Sequence, residues 1–229
     1  MLEKIKKAKY PLIAIFLVLL IDQVIKIYVK THFISGEEYR VAGDWFRIHF
    51  TENRGMAFGM EFGGDYGKLI LSVFRILAAI FGVYYIRQLL KTNQHIGYIT
   101  CVGLIFAGAV GNIIDSMFYG LIFNDSDFQI AQFMPAEGGY AGFLHGHVVD
   151  MLYFPIMNGT FPSWVPFWGG EPFQFFSPVF NFADASISFG VFFILIFQKR
   201  FFGKKTAAVE EKNNDEKKEA PTETNPSNP

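Results

Sequence analysis

From Gly97 to Ile114 the chain carries no Lys, Arg, Asp or Glu, and then it meets Asp115. A carboxylate at the end of such an apolar run is costly in lipid and as a rule marks a functional site. A second Asp stands in a matching context in Phe180-Asn181-Phe182-Ala183-Asp184, just inside the last apolar run. Both stretches read Asn-x-x-Asp, with Asn112 before Asp115 and Asn181 before Asp184. On a helix, residues i and i+3 share a face, so each run can present an amide and a carboxyl together. The two faces are expected to meet.

The rest of the chain agrees with a lipid setting. Of its 229 residues 51% are hydrophobic and only 18% are charged, whereas soluble domains carry roughly a quarter charged residues. The chain reads as a small integral membrane protein, all-α with a small β element. Its single cysteine, Cys101, lies inside an apolar run, which excludes a disulfide framework. A net charge of −1 gives no reason to expect nucleic acid.

Four spans are expected, at about 11–29, 68–90, 97–118 and 179–198, each near the ~20 residues that cross the hydrocarbon. The first follows Lys4, Lys6, Lys7 and Lys9 and so resembles a signal peptide. No small-x-small cleavage site follows it, and helical spacing continues to Val29, so it reads as an uncleaved span. Lys and Arg also flank the 91–96 connection and follow the last span, and none occurs between Lys91 and Lys199. The positive-inside rule then predicts both termini in the cytoplasm and segments 30–67 and 119–178 outside, despite Lys30, Arg40, Arg47 and Arg54 in the first. Residues 1–202 are read as one membrane domain and 203–229 as a disordered cytoplasmic tail, rich in Lys, Glu, Asn and Pro.

At ~1.5 Å per residue, Asp115 lies ~27 Å from the inner end of its span and Asp184 ~22 Å from Lys199. Asp22, Lys26 and Arg75 also fall in the outer halves of their spans. Five charges from all four spans therefore gather at one level near the outer boundary. Outside, Trp45–Phe50 alternates as a strand does, and Thr51–Gly59 reads as a turn and a second short strand, together a small antiparallel sheet. The long outer segment 119–178 holds six of the ten prolines and many aromatics, which suit the lipid–water boundary.

Two carboxyls in contact tend to share a proton at neutral pH, and such a pair can hydrolyse a peptide with water alone. Asp115 and Asp184 are open to that reading, to a proton or ion pathway, and to plain pairing with Lys26 or Arg75. His145-Gly146-His147 before Asp150 has an alternation used by zinc sites, but it lacks a third fixed ligand and reads as polar loop. No metal and no cofactor are expected. Gly103, Ala107 and Gly111 make a small-residue stripe for close helix packing.

Five blocks occur in order: Asp22-Gln23-x-x-Lys26, Asn53-x-Gly55-x-Ala57-Phe58, Gly108-x-x-Gly111-Asn112-x-x-Asp115, Val148-Val149-Asp150 and Phe180-Asn181-x-Ala183-Asp184. Together they resemble lipoprotein signal peptidase (signal peptidase II) over residues 11–200. The resemblance implies a four-span aspartic endopeptidase of the bacterial inner membrane, with its site near the outer face. It would remove the signal peptide of a prolipoprotein just before a diacylglyceryl-modified cysteine. The partners it implies are such precursors and membrane lipid, and a monomer is expected. It makes Asp115 and Asp184 the catalytic pair. Asp22, Lys26, Asn53, Gly55, Asn112, Asp150, Asn181 and Ala183 would shape the site or hold the substrate. Two features depart from the pattern. Ser116 follows Asp115 where an arginine is usual, so that arginine's work would fall to Arg54 or Arg75, and the 119–147 stretch is long. The other reading of the buried acids is a small proton-coupled transporter, which four spans without an inverted repeat disfavour.

Overall fold

The structure is a computed structural model and describes residues 2–53, 64–175 and 178–203. Three of its helical stretches are long and apolar enough to cross a membrane: Ala8–Lys30, Leu69–Lys91 and Ile96–Ile122. They belong to α1 (Leu2–Lys30), α2 (Gly64–Lys91) and α3 (Ile96–Ile114) with its continuation. The fourth expected span is a shorter apolar helix, α5 (Phe182–Ile196). The backbone turns at Phe197 and is helical again over 198–203. Val179–Phe180, expected inside that span, is instead a strand.

Large apolar side chains such as Phe74, Phe81, Leu77 and Phe189 point outward and are well exposed, as lipid-facing positions are. The inward faces carry small residues, because without water to drive apolar association, helices approach through close packing. α3 is central and packs on α1, α2 and α5. Gly108 and Gly111 set its distance from α5. A Cβ on Gly108 would lie 2.3 Å from the Ala183 carbonyl oxygen, and one on Gly111 would lie 2.7 Å from an Asp22 oxygen.

α3 does not run on regularly to residue 118. From Asp115 to Tyr119 it widens into a π-helical turn, followed by a last short turn, α4 (Gly120–Ile122). Such insertions recur at functional sites. Here Asp115, Ser116 and Tyr119 are all buried.

The segments between the helices build an antiparallel sheet in the order β1 (Glu38–Ala42), β2 (Phe46–Asn53), β3 (Val148–Tyr153), β6 (Val179–Phe180). Of the stretch Thr51–Gly59, expected as a turn and a second short strand, Thr51–Asn53 continues β2, and the remainder lies outside the described residues. Besides β1, β2 pairs with β3, which lies about a hundred residues further along the chain, with Thr51 opposite Asp150 and Asn53 opposite Val148. β3 pairs with β6 through Leu152–Phe180 and Tyr153–Val179, and β6 leads directly into Asn181, the N-cap of α5. A second hairpin, β4 (Met157–Thr160) with β5 (Pro172–Phe175), carries exposed Trp164 and Phe167 in its connection. A core of Val29, Phe50, Tyr119, Phe123, Val149 and Met151 joins the top of α1 to the sheet and to the 119–147 stretch.

Candidate active site

Asp22, Lys26 and Lys30 recur every four residues on α1 and so lie on one stripe; all three are fully buried. Lys26 Nζ lies 2.9 Å from Asp22 Oδ2 and 2.8 Å from Asp115 Oδ2, and it donates to Asn112 Oδ1 at 2.8 Å. Removing an ammonium group and two carboxylates from water costs several kcal/mol per ion, and mutual pairing offsets it only with full hydrogen bonding. That condition is met. Gln23 Nε2 donates to Asp22 Oδ2 at 3.1 Å and to Asp115 Oδ1 at 3.0 Å, and the Val149 backbone N–H donates to Asp115 Oδ2 at 3.3 Å.

Asp22 also caps α5. Its Oδ1 accepts from the Ala183 backbone N–H at 2.9 Å, one of the donors that a helix start leaves open. Asn181 closes a capping box on the same turn. Its Oδ1 accepts from the Asp184 N–H at 2.9 Å, and Asp184 Oδ2 accepts from the Asn181 N–H at 3.3 Å. The other Asp184 oxygen accepts from Asn112 Nδ2 at 2.8 Å. The two Asn-x-x-Asp faces do meet, through Asn112, Asn181 and Asp184.

Asp115 is not part of that meeting. It has no hydrogen bond to Asp184 among the described residues; it turns to α1, where Lys26 and Gln23 take up its oxygens. The expected Asp115–Asp184 contact is therefore corrected to an Asp115–Lys26 ion pair. The physical reason is charge: with Lys26 in reach, a fully buried carboxylate pairs with the ammonium instead of a second carboxylate.

Asp150 stands in that place. Asn181 Nδ2 donates to its Oδ1 at 2.6 Å and Asn53 Nδ2 to its Oδ2 at 3.2 Å. Burial first, and then the neighbouring charge of Asp184, raise its carboxyl to about 7, against the lowering effect of Asn181, Asn53 and Lys26. Asp150 and Asp184 are thus two acids held by one asparagine, one of them titrating near neutrality.

Gly55 and Arg54 lie outside the described residues. Ala183 is fully buried between α1 and α3. The His-x-His pair diverges into hydrogen bonds: His145 Nδ1 bonds the Phe143 carbonyl oxygen, and His147 Nδ1 bonds Glu52 Oε2 at 2.8 Å. No group of three or more His, Cys, Asp or Glu suited to a metal occurs among the described residues.

Gln23, Lys30 and Glu52 make site bonds that their sequence context does not announce. Lys30 pairs with Glu52, donates to Ser126 Oγ at 2.8 Å and sits over the rings of Phe123 and Tyr140. This cluster ties α1, β2 and the 119–147 stretch together. The one available signal was the four-residue spacing that puts Lys30 on the Asp22–Lys26 stripe.

The family described as signal peptidase (SPase) II matches residues 14–200. The chain belongs to the signal peptidase II family. A lipoprotein signal peptidase of Porphyromonas gingivalis is 52% identical over 196 residues, covering 85% of either chain. One from Amoebophilus asiaticus is 37% identical over 183 residues, 79% of this chain and 73% of its own. A solved bacterial membrane enzyme, determined by the in meso method at 1.9 Å resolution, shares the fold with a TM-score of 0.52 and 25% identity. That likeness covers 81% of this chain and 90% of the other. Signal peptidase II membership makes this a multi-pass membrane aspartic peptidase, and the transporter reading falls with it.

Proposed function

We propose that this enzyme removes signal peptides from diacylglyceryl-modified prolipoproteins, cutting before the lipidated cysteine, with Asp150 and Asp184 as its catalytic pair. The observation that carries the pair is Asn181, which donates to both carboxyls, from its side chain to Asp150 and from its backbone to Asp184. Asp150 keeps a proton near neutral pH and Asp184 supplies the base, the division of roles that hydrolysis by two acids needs. Asp184 takes a proton from water as the water oxygen bonds to the scissile carbonyl carbon, and Asp150 protonates the carbonyl oxygen. Collapse breaks the C–N bond; the amine leaves with the proton held by Asp184, and the hydroxyl proton returns to Asp150. Asp115 is then a positioning residue: its bond to the Val149 N–H fixes the strand beside Asp150.

In this reading α5, continued through 198–203, is a fourth span, both termini are cytoplasmic, and the site opens at the outer face of the inner membrane. A diacylated cysteine suits that depth, since each buried CH₂ contributes ~0.8 kcal/mol to membrane anchoring. The test uses purified enzyme in liposomes with matched precursors, one diacylglyceryl-modified and one with a bare cysteine. Only the first should be cut, and Asp150→Asn or Asp184→Asn should abolish cutting in folded enzyme. Equal cutting of both precursors would remove the lipid requirement. More than a few per cent activity in Asp150→Asn would remove Asp150 from the pair.

A further inference from the structure

One cation beside the pair has no part in the chemistry above. Arg75 is half-buried on α2, on the same face as Ser72 one turn earlier. Ser72 Oγ donates to the Leu144 carbonyl at 3.2 Å, and Arg75 Nη1 donates to Ser116 Oγ at 3.5 Å. Ser116 is itself fixed, donating to the Asn112 carbonyl at 3.0 Å. These bonds hold α2 against the outer loop and α3 and turn the guanidinium toward the acids.

Three carboxyls act on it electrostatically: Asp184 from α5, Asp115 from the π-turn and Asp150 from β3. Among the described residues, none forms an ion pair with it. Lys26 differs, for its ammonium group is occupied by Asp22, Asp115 and Asn112. A guanidinium has five N–H donors, and Ser116 takes one. A cation held in the outer half of a membrane helix without a paired carboxylate is costly, and such residues serve function.

We propose that Arg75 binds substrate: its remaining N–H groups donate to a backbone carbonyl oxygen of the bound signal peptide next to the scissile bond. The proposal rests on the reading of Asp150 and Asp184 as the catalytic pair. The buried serine after Asp115 supports it. Ser116 is too short to reach across the site, and it seats the guanidinium that arrives from α2.

The test compares Arg75→Gln, Arg75→Lys and the exchange Arg75→Ser with Ser116→Arg, all in full-length enzyme with the lipidated precursor. Arg75→Gln should lower kcat/KM on the order of a hundredfold, as loss of one preorganised donor does. The groups facing the pair are Lys26, Asp22, Asp115 and Arg75. Losing the last leaves the pair's ionised form less stabilised, so the pH–rate profile should move up by about one unit. Arg75→Lys keeps the charge but not the fork of donors, so it should restore the profile and leave KM raised. The exchange variant should recover at least about tenfold over Arg75→Ser alone. Arg75→Gln within twofold of the parent at an unmoved profile, or no recovery on exchange in folded enzyme, would overturn the proposal while Asp150→Asn stays inactive. Activity in Asp150→Asn would instead overturn the pair on which it rests.

Discussion

Asn181 donates to Asp150 across 2.6 Å, joining the cap of α5 to β3, the strand beside β6 in the sheet. The same residue caps α5 with its side-chain oxygen, so its amide group works in two directions at once.

These two roles separate in Asn181→Ser. Serine caps a helix about as well as asparagine, so unfolding temperature should stay near that of the parent. The shorter side chain cannot hold Asp150, and kcat/KM should fall on the order of a hundredfold, the cost of a misplaced reacting group. Unfolding can be followed by reaction of a thiol dye with Cys101, the one cysteine and a buried one.

Asp115→Asn and Asp150→Asn should both be inactive and differ in stability. Removing the Asp115 charge leaves buried Lys26 short of a partner, which costs about 3–5 kcal/mol. Asp150→Asn replaces an acid whose burial opposes ionisation, so at pH 8 it should unfold no earlier than the parent. The same thiol assay ranks the two.

Activity should decline as pH rises through about 7, where Asp150 loses its proton, by about tenfold per unit well beyond it. Asn53 bonds the ionised form and lowers that value. Asn53→Ala should therefore move the alkaline limb to higher pH, read from kcat/KM across the range.

Glu52 predicts the acid limit of the four-stranded sheet. Burial pushes its carboxyl up, but the His147 hydrogen bond and the Lys30 charge outweigh it and hold it at about 2, against 4.5 when unperturbed. A depressed acid stabilises the fold above its unfolded value, and that contribution is lost as pH falls through the folded one. The difference is on the order of 3 kcal/mol. Parent enzyme should lose stability between about pH 4.5 and 2, and Glu52→Gln should be destabilised at pH 7 and flatter below.

Three of the expected spans and the meeting of Asp22, Lys26 and Asp115 were legible because lipid penalises unpaired charge so heavily. Which acid faces which was not legible. Asp115 and Asp184 carry the same Asn-x-x-Asp spacing, and only the reach of Lys26 from α1 tells them apart. Asp150 was named as a site residue but ranked below Asp115, because nothing local announces a strand pairing that sets it beside Asn53, 97 residues away. The π-turn has no sequence mark either; Asp115-Ser116-Met117 would continue an ordinary helix equally well.

Asp184 is the third residue of its helix and a partner in the box that starts it. Unwinding that first turn would release the Asn181 and Ala183 amides and scatter the acids with them. If a precursor peptide enters by moving part of the protein, the moving part is therefore expected in the strands and loops, while the first turn of α5 holds its acids in place.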